Sequence, residues 1–288
     1  MERRLLSRSG KTRSGIAMIE QSCASRRGHS TNLVGVASGA LASAAFNDAT
    51  TVLHVAGARE QSPHLFKMLE RAACAEDATV IFEHYMAVMF GLEPLPPILD
   101  ERGRRRYRAS YLRLLRGWAY DSNGAEGAVL KGWVESRFGL VPTYHKEKIS
   151  RFASPAWIRY VEEKMSSRFH NNAIYSQLDL LYEFAQWTLQ RTHASRHHLR
   201  LFRGVLDFTE HQIVEHIDRR RLVLRLNNLV SFTADRDVAS WFGDYILETA
   251  VPLCKVLFFD GLLHKHAPKS EGEVLAIGGD YLVTATYY

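Results

Sequence analysis

Three polar groupings near the C-terminal end of this 288-residue chain have residue types and spacing that could do chemistry. The first is Arg203, in Leu199-Arg200-Leu201-Phe202-Arg203-Gly204. Strand alternation puts its guanidinium on the face of Leu199 and Leu201. A guanidinium on an apolar face needs an anionic partner, from the protein or from a ligand. The second is Ser231-Phe232-Thr233, with both hydroxyls on the face of Leu229. The third is Glu271-Gly272-Glu273, leading into Val274-Leu275-Ala276-Ile277. Its carboxylates fall on one side, roughly 7 Å apart if extended, and Glu273 shares a face with Leu275 and Ile277. Taken singly these read as a structural salt bridge, strand hydroxyls and a solvated strand entrance. Taken together they are an anion clamp, a hydroxyl pair and two carboxylates on successive strands of one small region.

The elements that must position them belong to two regimes. From about residue 31 to 195 the helical period dominates. Ser62-Pro63 reads as N-cap and first helical residue before Leu65, Phe66 and Leu69. Asp77 is expected to cap a helix bearing Ile81, Tyr85, Val88 and Met89 and stopped by Gly91. Pro94, Pro96 and Pro97 read as a stiff linker. Asn123 and Glu126 have capping-box spacing, and Gly139 closes that helix. Ser154-Pro155 opens another, with Ile158, Val161, Met165 and Phe169 in register. Ile174, Leu178, Leu181, Ala185 and Leu189 form a further stripe, and such stripes predict core. After about residue 196 the period becomes two, with strands expected at 199–204, 222–233, 245–251, 254–259, 273–278 and 281–287. Gly278-Gly279 is expected to make a tight hairpin between the last two. A helical region followed by a mostly antiparallel sheet is the α+β class.

Composition narrows the alternatives. With 46% hydrophobic and 24% charged residues the chain is globular, not disordered. No apolar run reaches the ~18–20 residues of a membrane helix. Cys23, Cys74 and Cys254 are too scattered for a disulfide framework or a zinc site, which points to a reducing, cytoplasmic setting. The net charge is +6, and residues 1–30 hold seven basic residues against two acidic ones. That stretch reads as a disordered tail; a transit peptide, or a start at Met18, fits it too. Gly10-Lys11-Thr12 lacks the earlier glycine and the strand of a phosphate-binding loop. His193, His197 and His198 have metal-like spacing but no accompanying carboxylate or cysteine, so no metal is expected. The run Arg102, Arg104, Arg105, Arg106 and Arg108 reads as a solvated helix start or as a docking patch for an acidic partner or phosphate.

Arginine on a first strand, Ser-x-Ser/Thr on a middle strand and Glu-x-Glu on a later one resembles the R-S-E pattern of the ADP-ribosyltransferase superfamily. Ala239 and Phe242, after Ser231-Phe232-Thr233, add to the likeness. Ser30 to Val36, Ser110 to Trp118, Asp121 to Leu140, Phe152 to Phe184 and most of 199–288 resemble the dinitrogenase reductase ADP-ribosyltransferase family within it. The resemblance implies a helical region over 31–195 and an NAD-binding catalytic core over 196–288, built as a split β-sandwich. It implies NAD as substrate and an arginine of the nitrogenase iron protein as acceptor, whose modification switches off nitrogen fixation. It also implies regulation through a PII-type nitrogen-signalling protein. No nucleic-acid partner is expected, because the basic excess lies mostly in residues 1–30.

Residue by residue, Glu273 is similar to the superfamily's catalytic glutamate, holding a ribose hydroxyl and stabilising an oxocarbenium-like cation. Ser231 matches the serine that orients it. Arg203 matches the arginine gripping the phosphate–ribose region, and Gly204 would let the backbone approach the nicotinamide carboxamide. Thr233 stands where many relatives have serine, and Phe242 is expected at the NAD site. Glu271 matches the glutamate of arginine-specific members. An acceptor guanidinium is permanently charged, with pKa above ~12, so a second carboxylate must orient it and draw off charge. An NAD glycohydrolase, or a transferase for a different protein, would share Arg203, Ser231 and Glu273. A basic nucleic-acid module would instead need aromatics interleaved with a basic face.

Overall fold

The structure, a computed structural model, describes residues 31–92, 109–166, 172–208, 211–264 and 272–287. The N-terminal tail, the proline linker, the Arg102–Arg108 run, Phe169 and Glu271 lie outside the described residues. The helices come first: α1 (Ser38–Leu41), α2 (Ala44–Asp48), α3 (Ala58–Gln61), α4 (Pro63–Leu69), α5 (Ala75–Phe90), α6 (Tyr111–Tyr120) and α7 (Ala125–Phe138). A minute ladder, β1 (Tyr144–His145) with β2 (Glu147–Lys148), precedes α8 (Pro155–Lys164) and α9 (Asn172–Thr192). Six longer strands follow: β3 (His198–Val205), β4 (Gln212–His216), β5 (Arg221–Thr233), β6 (Tyr245–Pro252), β7 (Val256–Phe259) and β8 (Glu273–Tyr287). A single-turn helix, α10 (Arg236–Ser240), sits between β5 and β6. The expected α+β class holds.

Helix boundaries follow the capping chemistry, with two corrections. Ser154 Oγ accepts the Trp157 N–H at 3.2 Å and Pro155 fills the first turn of α8. Gly91 and Gly139, at φ 59° and 70°, end α5 and α7 in the left-handed conformation. Cys74, not Asp77, caps α5: its sulfur accepts the Asp77 N–H, which leaves the Asp77 carboxylate inside the positive first turn. Asn123 does not cap α7, which starts from Gly124, because its side-chain oxygen accepts from the Lys131 ammonium instead. The α9 stripe is buried throughout, but α5 turns Ala78, Phe82 and Met86 inward and exposes Val88 and Met89. In α8, Ala156 and Tyr160 are buried while Ile158 is exposed, as is Met165 just past the helix end. Tyr160 takes the inner place because its hydroxyl meets the Glu135 carboxylate at 2.6 Å.

The sheet order is β4-β5-β3-β6-β8-β7, with β5 also paired to β8. β5 and β8 run antiparallel from Arg221↔Thr284 to Thr233↔Glu273 and form the spine. β7 pairs with the first part of β8 and β6 with its last residues. β3 pairs along the whole of β6 and meets β5 only at Phe202↔Thr233, so the sheet splits and rejoins. The hairpin expected at Gly278-Gly279 is absent, and β8 runs on through both glycines. A Cβ on Gly278 would stand 1.6 Å from the Asn227 carbonyl oxygen, and one on Gly279 2.7 Å from that of Ala42. The glycines admit two approaching backbones instead of making a turn. β4 was not expected, and every residue in it is exposed, leaving no alternation to read.

Helices and sheet share one hydrophobic cluster. Phe82 stacks on Phe184 at 4.2 Å, and Leu257, Phe258, Leu275 and Ile277 of the sheet join them. Side chains of the β5 irregularity extend the junction. Asn228 Nδ2 donates to the carbonyls of Lys131 and Leu140, each at 2.8 Å, and Asn227 Nδ2 to that of Tyr144 at 2.8 Å. Glu183 on α9, fully buried, accepts the Val55 N–H at 2.8 Å and pairs with Arg59.

Candidate active site

Register alone brings the key strand residues together. Thr233 at the end of β5 faces Glu273 at the start of β8, and Ser231 faces Leu275. Ser231 Oγ donates to Glu273 Oε1 at 2.7 Å. Arg203 Nη1 donates to the Ser231 carbonyl at 3.0 Å. The guanidinium therefore lies across the end of β5, within electrostatic reach of the Glu273 carboxylate. These groups line a cleft of about 800 Å³, within the ~300–1,000 Å³ common for ligand sites.

The sequence reading missed the residue that completes this arrangement. Trp118, on α6 and 5% exposed, donates its indole N–H to Ser231 Oγ at 2.8 Å. The sequence set Trp118 only at the end of a segment resembling the family; its signal was the polar handle that a buried indole must satisfy. Behind it, Lys131 Nζ sits 5.8 Å from the ring centroid, held by Asn123 Oδ1 at 2.9 Å and the Tyr144 carbonyl at 3.1 Å. Cation, indole, hydroxyl and carboxylate are in series. The donor of the series comes from the helical region and its acceptor from the sheet.

Electrostatics at Glu273 are opposed. Burial pushes its pKa above the usual carboxylate value, and the Asp260 charge adds to that. Hydrogen bonding from Ser231 and Trp118, with the Arg203 charge, pulls it back. The result is a desolvated carboxylate kept usable by specific donors, which is what stabilising a developing cation requires.

The other expected residues take several places. A Cβ on Gly204 would stand 1.9 Å from the Ala239 carbonyl oxygen, so this glycine is needed where α10 lies against β3. Its backbone lines the cleft, as does Phe242, which is 60% exposed. Thr233 is buried, and its Oγ1 accepts the Asp235 N–H at 3.1 Å, shaping the turn into α10. Glu271 lies outside the described residues.

An arginine, a Ser-x-Thr pair and a glutamate gathered at the break of a split antiparallel sheet are the arrangement of the R-S-E class of ADP-ribosyltransferases. Comparison with known proteins narrows the class. The family model described as dinitrogenase reductase ADP-ribosyltransferase matches residues 31–285, and the chain belongs to that family. It is 59% identical over 266 residues to the NAD(+)–dinitrogen-reductase ADP-D-ribosyltransferase of Rhodospirillum rubrum, covering 90% of this chain and 96% of that one. No solved structure matches the chain.

Proposed function

We propose that the chain transfers ADP-ribose from NAD to an arginine of the nitrogenase iron protein, releasing nicotinamide and inactivating the acceptor. Family membership and the activity for which the Rhodospirillum rubrum relative is named support the substrate pair. The observation that carries the chemistry is the Trp118–Ser231–Glu273 hydrogen-bond series beside Arg203.

In this reading the bond between nicotinamide nitrogen and ribose C1′ breaks, and its electron pair leaves with the nicotinamide. The ribose becomes oxocarbenium-like, and Glu273 stabilises it while Ser231 holds the carboxylate. Arg203 binds the phosphate–ribose region and Phe242 offers an aromatic face at the rim. An acceptor guanidinium nitrogen attacks C1′ and gives up a proton. Glu271 is the carboxylate assigned to orient it and receive that charge. Thr233 shapes the site through the turn it closes.

The Arg102–Arg108 run, a dense basic stretch suited to an acidic partner, is assigned to recognition of the acceptor, and a PII-type protein to regulation by family resemblance. Cytoplasmic residence accords with this chemistry. Among the described residues no helix is long and apolar enough to cross a membrane. The test is to incubate the full chain with labelled NAD and purified iron protein, and to map the label. Label on an arginine is the expected result; NAD consumed with no label on protein would replace transfer by hydrolysis. Glu271→Gln should abolish transfer and spare hydrolysis, and normal transfer by that variant would remove its role.

A further inference from the structure

His211 is not used by the chemistry above. It begins the stretch leading into β4, is 6% exposed, and lines both the large cleft and a small adjoining cavity of about 40 Å³. Neither ring nitrogen has a hydrogen-bond partner among the described residues. Arg203 and Ser231 line both cavities with it. Burying a polar ring without partners is costly, and such groups in native proteins call for an explanation.

The ring's charge state limits what it can bind. Burial, then the neighbouring Arg203 charge, hold His211 down to about 4, against a smaller upward pull from Asp207. The imidazole is neutral at physiological pH and keeps one N–H donor and one lone pair. A ligand seated against the Arg203 guanidinium brings anionic oxygens to this wall, and those oxygens accept hydrogen bonds. An imidazole N–H beside a guanidinium supplies a second donor of different geometry. Arg203 attracts by charge, while the ring fixes one oxygen.

We propose that His211 is a substrate-contacting residue whose ring N–H donates to the diphosphate of NAD beside Arg203. This rests on reading the cleft as the dinucleotide site. It gives the energetic cost of the buried ring a counterpart, because the ring stands waiting for the substrate's oxygens.

The test pairs stability with binding in the full chain. His211→Phe keeps a ring and removes both nitrogens, so the ligand-free Tm should stay level or rise, since no hydrogen bond among the described residues is lost. Affinity for NAD and for ADP-ribose should fall about tenfold or more, as expected for losing a hydrogen bond to a charged group. Affinity for nicotinamide, which has no diphosphate, should not change. Wild-type NAD and ADP-ribose affinity in His211→Phe would overturn the proposal, and an equal loss for nicotinamide would overturn the diphosphate assignment. If the variant does not fold, the wild-type chain with ¹⁵N-labelled histidine decides. ADP-ribose should shift the His211 ring nitrogens and nicotinamide should not; ring signals unmoved by ADP-ribose refute the contact. A wild-type chain that binds neither NAD nor ADP-ribose would instead bring down the dinucleotide reading of the cleft.

Discussion

Replacing Trp118 with phenylalanine isolates the contribution of the helical region to the chemistry. The change keeps an aromatic ring in a buried position and deletes the N–H that donates to Ser231 Oγ at 2.8 Å. Ser231 then loses the donor that fixes its oxygen, and Glu273 loses one of the influences holding its pKa down. Hydrogen bonds tied to a charged group are worth about 1.5–3 kcal/mol, so turnover should fall roughly ten- to a hundredfold. The smaller ring should also cost about 1–2 kcal/mol of stability, less than full truncation of a buried aromatic. The discriminating readout is the pH profile. Burial already raises Glu273, and removing a donor to its ionised form raises it further, so the acid limb of NAD hydrolysis must move to higher pH. A structural role alone would lower Tm and leave that limb in place. The assay is NAD hydrolysis at saturating NAD from acid to neutral pH, beside thermal unfolding. A variant with wild-type turnover and an unmoved acid limb would refute the series from Trp118 to Glu273.

Three further outcomes follow from the same geometry. Glu273→Gln should abolish turnover yet stabilise the fold at neutral pH, because burial raises the native pKa above the unfolded one. The unfavourable charged state is present above the native pKa and disappears as pH falls through the unfolded value, so urea midpoints of variant and wild type should converge in acid. Gly204→Ala places a Cβ 1.9 Å from the Ala239 carbonyl oxygen; displacing α10 should cost about 1–3 kcal/mol in urea unfolding and weaken NAD binding with it. Lys255 is fully buried, with Nζ 5.0 Å from the Tyr281 ring centroid and 5.3 Å from that of Phe46, and burial lowers it to about 7. Its native pKa lies below the unfolded one, so wild-type stability declines as pH falls from the free-lysine range toward neutrality. Lys255→Met should therefore outperform wild type more at pH 7 than at pH 10, and an equal difference at both would refute the lowered pKa.

Arg203, Ser231 and Glu273 were legible because strand parity puts each polar group beside apolar neighbours, and that conflict is visible in one sequence. Their meeting in space follows from register, with Thr233 opposite Glu273. Trp118 was not legible as a functional group. Its partner is 113 residues away, and an indole on an apolar helical face looks the same whether its N–H meets a backbone carbonyl or a serine in a cleft. The glycine pair at 278–279 misled for a related reason. Glycine marks a place where a side chain would not fit, and here the obstacle is the approaching backbone of Asn227 and Ala42, which no local pattern encodes. Asp77 and Asn123 are good capping types, but Cys74, three residues earlier, takes the Asp77 N–H, and the Lys131 ammonium claims the Asn123 oxygen.

The helical region and the sheet are energetically one device at the site. A carboxylate in this cleft is disfavoured by burial and by Asp260, and what offsets them is Ser231, Trp118 and Arg203. Two of those three belong to the sheet, and the third rides on α6. The position of α6 is in turn tied to β5 through Lys131, whose carbonyl accepts from Asn228 and whose ammonium approaches the Trp118 ring. A shift of α6 by even one ångström would stretch the 2.8 Å indole hydrogen bond beyond useful length and raise the pKa of Glu273 without touching the strands. In the proposed reaction the ionisation of Glu273 is therefore conditional on the helical region holding its register against the sheet, and ligands or substitutions that move α6 act on the glutamate through Trp118 and Ser231.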